Sequence, residues 1–232
     1  MIIKDKISKE EVNEMPKVVF NGQMFVVDTP AQADFAVRYL SQYNLLGIDS
    51  ETRPAFKKGE VHKVALLQIA TDDRCYLFRL NKFGMTMSLI QLLENPHITK
   101  VGLSLKDDFM MLHQRAAFEP RGIIELQEYV AKFGIKDMSL QKIYANLFGY
   151  KISKSQRLSN WEADELTIPQ REYASIDAWA CIQIYRLLEE LRISGDYELQ
   201  IVEEPTEETN NDFSEQQEQS QACLNSAESR RN

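Results

Sequence analysis

Residues 45–54 read LLGIDSETRP: four uncharged, mostly apolar residues run into Asp49 and Glu51, two acids separated only by Ser50. Successive side chains of a β-strand alternate between faces, so in a strand Asp49 and Glu51 point to the same side. Like charges that close repel, and lost hydration adds to the cost. The pair therefore either titrates abnormally or holds positive charge between its members, and a metal ion is the first candidate. The alternative is a strand that ends at Ile48 and releases both acids into solvent, the commoner outcome for an isolated D-x-E. The rest of the chain has to choose between these readings.

At 232 residues with 44% hydrophobic composition, the chain can build one sizeable domain with a real core. No stretch approaches the roughly 18 consecutive apolar residues of a membrane helix, and the N-terminus, MIIKDKISKEEVNEMPK, has no apolar signal-peptide centre. A cytoplasmic protein with no membrane partner is expected. Cys75, Cys181 and Cys223 are far apart, odd in number and without C-x-x-C spacing, which argues against a disulfide framework and a cysteine zinc site and predicts inert thiols. The net charge is −8, but eight of the 35 acids and only two of the 27 bases lie in residues 201–232. Residues 1–200 are then close to neutral, with 27 acids against 25 bases. The acidic end is rich in Glu, Gln, Ser and Asn and poor in aliphatics, so it cannot bury enough surface to offset its ordering entropy. The expected organisation is an N-terminal extension over 1–22, a folded domain over 23–195 and an acidic disordered tail over 196–232.

Alternation of short β-rich runs with helical patterns predicts an α/β domain. QMFVVDT (23–29) reads as a strand, and Thr29-Pro30 opens a helix to about residue 42, with Thr as N-cap and Pro in the first turn. LLGIDSE (45–51), KVALLQIAT (63–71) and CYLFRL (75–80) are three strands joined by turn residues, hence a largely antiparallel meander. A helix over 86–93, a strand at ITKVGLSL (98–105), a helix from about residue 106 and a short strand near GIIELQ (122–127) follow. SLQKIYANLFG (139–149) has a Ser start and a Gly stop. After the polar loop 151–164 comes the strongest helix, where Thr167 and Gln170 form a capping-box signature and Pro169 fits the first turn.

In that last helix Tyr173, Asp177, Cys181, Ile184 and Leu188 recur at three- and four-residue spacing, so Asp177 lies on the apolar stripe. A core-facing aspartate is rarely unpaired; a structural ion pair with Arg or Lys is one partner and a metal ion another. Asp107 and Asp108 open a helix after VGLSL, where first-turn acids are favoured by the helix dipole alone. Sites in α/β sheets gather where strand ends meet helices, and all three acidic positions can reach such an edge. Three or four carboxylates without a local excess of bases is the donor set that hard divalent cations take.

IDSE, with Asp49 and Glu51, VGLSLKDDF, with an aspartate opening a helix, and YASID, with Tyr173 and Asp177, resemble the three exonuclease motifs of the DEDD superfamily. The Y-x-x-x-D form of the third motif marks the tyrosine subgroup, DEDDy. Through LLQIAT, SLQKIYANLFG and KSQRLSNWEADELT the chain is most similar to ribonuclease D and Werner-type exonuclease domains, over roughly residues 25–192. The resemblance implies a ribonuclease H-like mixed sheet, a three-strand antiparallel meander plus parallel strands, flanked by helices. It also implies two Mg²⁺ or Mn²⁺ ions and 3′-5′ hydrolysis of single-stranded DNA or RNA ends to nucleoside monophosphates. Alignment on VGLSLKDDF places the third carboxylate on Asp108 rather than Asp107. By the same resemblance Asp49 bridges the ions, Glu51 and Asp177 complete the one on the nucleophile side, Asp108 holds the other through water, and Tyr173 orients the attacking water. Ser104 stands where some relatives have asparagine. His62, His97 and His113 all lie outside the third motif, so no histidine base is expected, and His62 alone is a candidate phosphate neighbour.

Phosphate contacts are expected from Lys57, Lys58 and Lys63 in the first hairpin and from Lys151, Lys154 and Arg157 in the loop before the last helix, the alternative for each being a solvated surface charge. Phe56 and Trp161 are candidates for stacking on terminal bases or for anchoring core and loop. Few residues follow the last helix, so an exonuclease domain nearly alone is expected, without the further domains of ribonuclease D or Werner-type proteins. The rival from another class is a non-catalytic nucleic-acid-binding or scaffold protein with the same fold; a third reading is an RNase H-like endonuclease, separated by the length of its products.

Overall fold

The computed structural model describes residues 1–203, and the structural statements here concern those residues. Most of the expected tail, residues 204–232 with Cys223, lies outside the described residues. In chain order the elements are β1 (Ile2–Lys4), α1 (Lys9–Glu14), β2 (Gln23–Val27), α2 (Pro30–Leu40), β3 (Leu45–Glu51), β4 (Leu66–Ala70), β5 (Arg74–Phe78), α3 (Leu80–Phe83), α4 (Met87–Glu94), β6 (Thr99–Gly102), α5 (Leu105–Leu112), β7 (Ile123–Glu125), α6 (Leu126–Ala131), α7 (Leu140–Phe148), α8 (Ile168–Ser194) and β8 (Glu198–Gln200).

Six strands form one mixed sheet in the order β2-β5-β4-β3-β6-β7. The meander β3-β4-β5 is antiparallel, and β2, β6 and β7 join it in parallel. Alternation along the central strands sends Leu66 and Ala70 of β4 to one core and Leu67 and Ile69 to the other. Helix α8 covers the first face, crossing β3, β4, β5 and β6, while α2 and α4 pack together on the second. Packing on both sides explains why β4 is wholly buried and reads as a hydrophobic run broken only by Gln68.

The helix starts follow from their caps. Thr29 accepts from the Gln32 amide and Thr167 from the Gln170 amide, each in a reciprocal capping box with a proline in the first turn. Gly149 ends α7 with φ 70°, a conformation that suits glycine.

Residues 1–22 are not a bare extension: β1 pairs in parallel with β8, and Met1–Ile201 forms one compact unit. The Ile7 amide donates to Asp137 Oδ2 at 2.8 Å, and Asn146 exchanges hydrogen bonds with the Lys4 backbone at 3.1 and 2.7 Å. Residues 198–200, expected within the tail, are therefore ordered by a strand from the opposite end of the chain.

Candidate functional site

Asp49 and Glu51 lie on β3 with one residue between them, and Asp49 stands opposite Gln68 of β4 in the antiparallel register. Gly47, two residues earlier on the same face, is what brings the third acid in. A Cβ there would sit 2.0 Å from the Ala178 carbonyl oxygen, so α8 rests directly on the strand backbone. Asp177, adjacent to Ala178 and 8% exposed, is thereby set beside Asp49. Carboxylate oxygens of Asp49, Glu51 and Asp177 all lie within 4.8 Å of one another.

Asp108 approaches from α5. Its Oδ1 accepts from Ser50 Oγ at 2.5 Å, so the serine between the two β3 acids points the other way and ties the fourth carboxylate to the strand. Asp107, its neighbour, is exposed. The start of α5 is fixed by Glu125 at the end of β7, whose oxygens accept from the Ser104 amide at 2.9 Å and the Leu105 amide at 2.7 Å. Ser104 has φ 62°, the only positive φ outside glycine among the described residues, and makes no side-chain cap of its own. Glu125 supplies that missing cap.

The electrostatics follow from this crowding. Burial, then Asp108, Asp177 and Glu51, push the Asp49 carboxyl well above the ordinary range. Burial with Asp177 and Asp108 raises Glu51 to about 9, against the opposing pull of Arg157. Asp177 is raised by burial to about 7, although a hydrogen bond from Tyr173 and the charge of Lys154 oppose it. Burial raises Asp108 to about 6 against the Ser50 hydrogen bond. Burial and the neighbouring acids push the Tyr173 hydroxyl upward, so it stays protonated. None of the four carboxylates has a lysine or arginine within 4 Å among the described residues. Asp49, Glu51 and Asp177, clustered, desolvated and oxygen-only, fit a hard divalent cation, and Asp108 is tied beside them through Ser50.

A cavity of about 300 Å³ opens on this cluster, its lining including Asp49, Tyr173, Asp177, Lys154 and Arg157. Thus Lys154 and Arg157 come to the acids, whereas Lys57, Lys58 and Lys63 sit exposed on the connection between β3 and β4, outside the cavity's lining. Lys151 donates from Nζ to the Asn13 carbonyl. His62 is held between Glu60 at 2.9 Å and Glu162 at 3.3 Å. Trp161 is wholly buried, with its ring 6.1 Å from that of Tyr173, which corrects its candidacy for base stacking: it anchors the loop under the tyrosine. Phe56 remains 78% exposed.

Sequence reasoning passed over Gly47, Glu125 and Arg79. A glycine inside an apolar strand signals close backbone approach, so Gly47 carried a readable mark. Arg79, 1% exposed at the end of β5, donates to the Ala163 carbonyl and, at 3.4 Å, to that of Asp164, pinning the loop that precedes α8.

Comparison with known proteins bears on the fold and the family. The 32%-identical match to the mouse bifunctional 3′-5′ exonuclease/ATP-dependent helicase WRN covers 67% of this chain and 11% of that protein. An Arabidopsis thaliana 3′-5′ exonuclease is 27% identical over 80% of this chain and 70% of its own length. Among solved structures, the Aedes aegypti Nibbler EXO domain superposes with a TM-score of 0.67 at 20% identity, covering 75% of this chain and 91% of that one. Escherichia coli RNase D gives 0.66 at 22% identity, covering 75% and 46%. Both share the fold. The sequence model of the 3′-5′ exonuclease family matches residues 24–192, a span that takes in β3, α5 and most of α8 with all four acids. The chain therefore belongs to the 3′-5′ exonuclease family, as the three motifs on those elements had suggested.

Proposed function

We propose that the chain is a metal-dependent 3′-5′ exonuclease that releases nucleoside monophosphates from single-stranded nucleic-acid ends. The observation that carries this reading is the convergence of Asp49, Glu51 and Asp177 oxygens within 4.8 Å, with no basic side chain paired to them among the described residues. Two Mg²⁺ or Mn²⁺ ions held by Asp49, Glu51, Asp108 and Asp177 would supply positive charge against the phosphate oxygens and lower the pKa of water.

The chain's own groups divide the remaining work. Glu51, held protonated by burial and the neighbouring acids, and Asp177, held so by burial, must lose these protons before they can act as ligands, so cation affinity rises with pH. Tyr173 keeps its proton and hydrogen-bonds to Asp177, so it serves to orient an attacking water rather than to accept a proton. Ser50 holds Asp108 at 2.5 Å. Lys154 and Arg157 at the cavity lining are set to hold a phosphate over the acids.

Incubation with 3′-labelled single strands and Mg²⁺ or Mn²⁺ should release labelled mononucleotides, and both Asp49→Ala and EDTA should stop it. Activity surviving either treatment, or internal fragments as products, would overturn the proposal. Matched DNA and RNA strands run in parallel assign the sugar preference.

A further inference from the structure

A second cavity, of about 530 Å³, adjoins the first and shares Ser139, Gln141, Ile152 and Lys154 with it. Its lining holds Lys9, Lys17, Lys142, Lys151 and Lys154 and no aspartate or glutamate among the described residues. In a body of 27 acids and 25 bases, five lysines around an acid-free groove are a local concentration of charge rather than a reflection of composition. Lys142 is offset by Asp137 at 3.0 Å, and Lys151 is bound to the Asn13 carbonyl, but Lys9 and Lys17 are exposed.

The segment that carries Lys9 and Lys17 is held in place. The Val18 amide donates to the Lys151 carbonyl at 3.0 Å, and the Lys151 amide to the Pro16 carbonyl at 2.9 Å. With β1 paired to β8, the N-terminal segment forms a fixed wall beside the loop that bears Lys154. Lys9 and Lys17 both precede residues 24–192, where the family match lies.

A nucleic-acid strand whose end lies at the acids must leave the cluster along some surface, and its backbone is repelled by carboxylates and drawn to lysines. We propose that this groove holds the phosphates of the substrate strand on the 5′ side of the cleaved nucleotide, with Lys9 and Lys17 of the N-terminal segment touching them directly. The inference rests on the exonuclease reading and extends the binding surface beyond the family domain. Lys9 and Lys17 act on binding rather than on the chemical step, and only on strands long enough to reach them.

The test uses the full chain and its Lys9→Ala/Lys17→Ala variant with a fluorescent strand of about twelve nucleotides, within the usual span of single-strand sites. The strand is oligo-dT or oligo-U, whichever the unaltered chain degrades, with a phosphorothioate 3′ linkage for the binding arm. Affinity should fall about tenfold, and the slope of log affinity against log salt should become shallower by about 0.7 for each phosphate that a lysine no longer neutralises. KM for the cleavable strand should rise with kcat unchanged, and a dinucleotide should be hydrolysed as before, which also shows the variant to be folded. Unchanged affinity and salt slope, or an equal loss on the dinucleotide, would overturn the inference while leaving the exonuclease reading intact. Failure of the unaltered chain to hydrolyse any strand would instead remove that reading, and the groove's assignment with it.

Discussion

Tyr173 and Ser104 show what single residues contribute here. The Tyr173 ring packs near buried Trp161 while its hydroxyl faces Asp177, so Tyr173→Phe should keep the packing and lose only the oriented hydrogen bond. We expect kcat to fall by about 100-fold or more with KM little changed, since a positioned hydroxyl of this kind contributes on that scale, and steady-state kinetics on a labelled strand would check it. Ser104 adopts φ 62° just before α5, a conformation that asparagine tolerates better than serine. Ser104→Asn should therefore raise stability by about 0.5–1 kcal/mol without altering Asp108, read as a higher Tm at unchanged activity. Periods of two and of about four put Asp49 with Glu51 and Tyr173 with Asp177 on common faces, but spacing alone left a solvent or ion-pair role open for the acids, and the resemblance to the exonuclease motifs chose between the readings. The φ of Ser104 and its compensation by Glu125 were not, because the partner lies 21 residues away on another strand.

At the scale of elements, the approach of α8 to β3 decides whether the acids meet. The backbone of α8 at Ala178 touches Gly47 directly, so a methyl group at residue 47 would meet a carbonyl oxygen at 2.0 Å with no flexible side chain to yield. Gly47→Ala should lower stability by about 1–3 kcal/mol, the usual scale of overpacking, and move Asp177 away from Asp49. Ala178→Gly should not rescue it, because the obstructing atom is backbone. Denaturant unfolding together with Mg²⁺-dependent hydrolysis of the single and double variants distinguishes this from simple destabilisation: a Gly47→Ala protein that melts lower yet hydrolyses normally would contradict the account. The meander and the long helices were readable because caps, turns and periodicity are local signals. The strand expected at 98–105 proved shorter, β6 ending at Gly102, since Ser104 and Leu105 already turn into α5. The β1-β8 pair was not readable, because strands of three residues exist only through a partner almost 200 positions away. Ser8 and Glu11 did carry a capping-box signature for α1, present in the sequence and overlooked.

For the molecule as a whole, the acid cluster stores repulsion that a cation relieves, and pH reveals it. Glu51 is raised from 4.5 to about 9, Asp177 from 3.8 to about 7 and Asp108 from 3.8 to about 6, each first through burial. Between about pH 4 and pH 9 the folded protein thus binds more protons at these sites than the unfolded chain does, and stability falls as pH rises. The contribution is fully present below the unfolded values near 4 and is lost in steps as pH passes through about 6, 7 and 9. Thermal melting in EDTA should accordingly show Tm declining over this range. Saturating Mg²⁺ or Mn²⁺ binds the deprotonated cluster of the folded state alone, so the rise in Tm on adding the ion should be small near pH 5 and grow toward pH 8. A scaffold that keeps the fold without using its acids would show no such gain at any pH. Asp49→Asn should abolish most of the ion-dependent rise while softening the decline in EDTA, because one charge fewer remains for burial and repulsion to oppose.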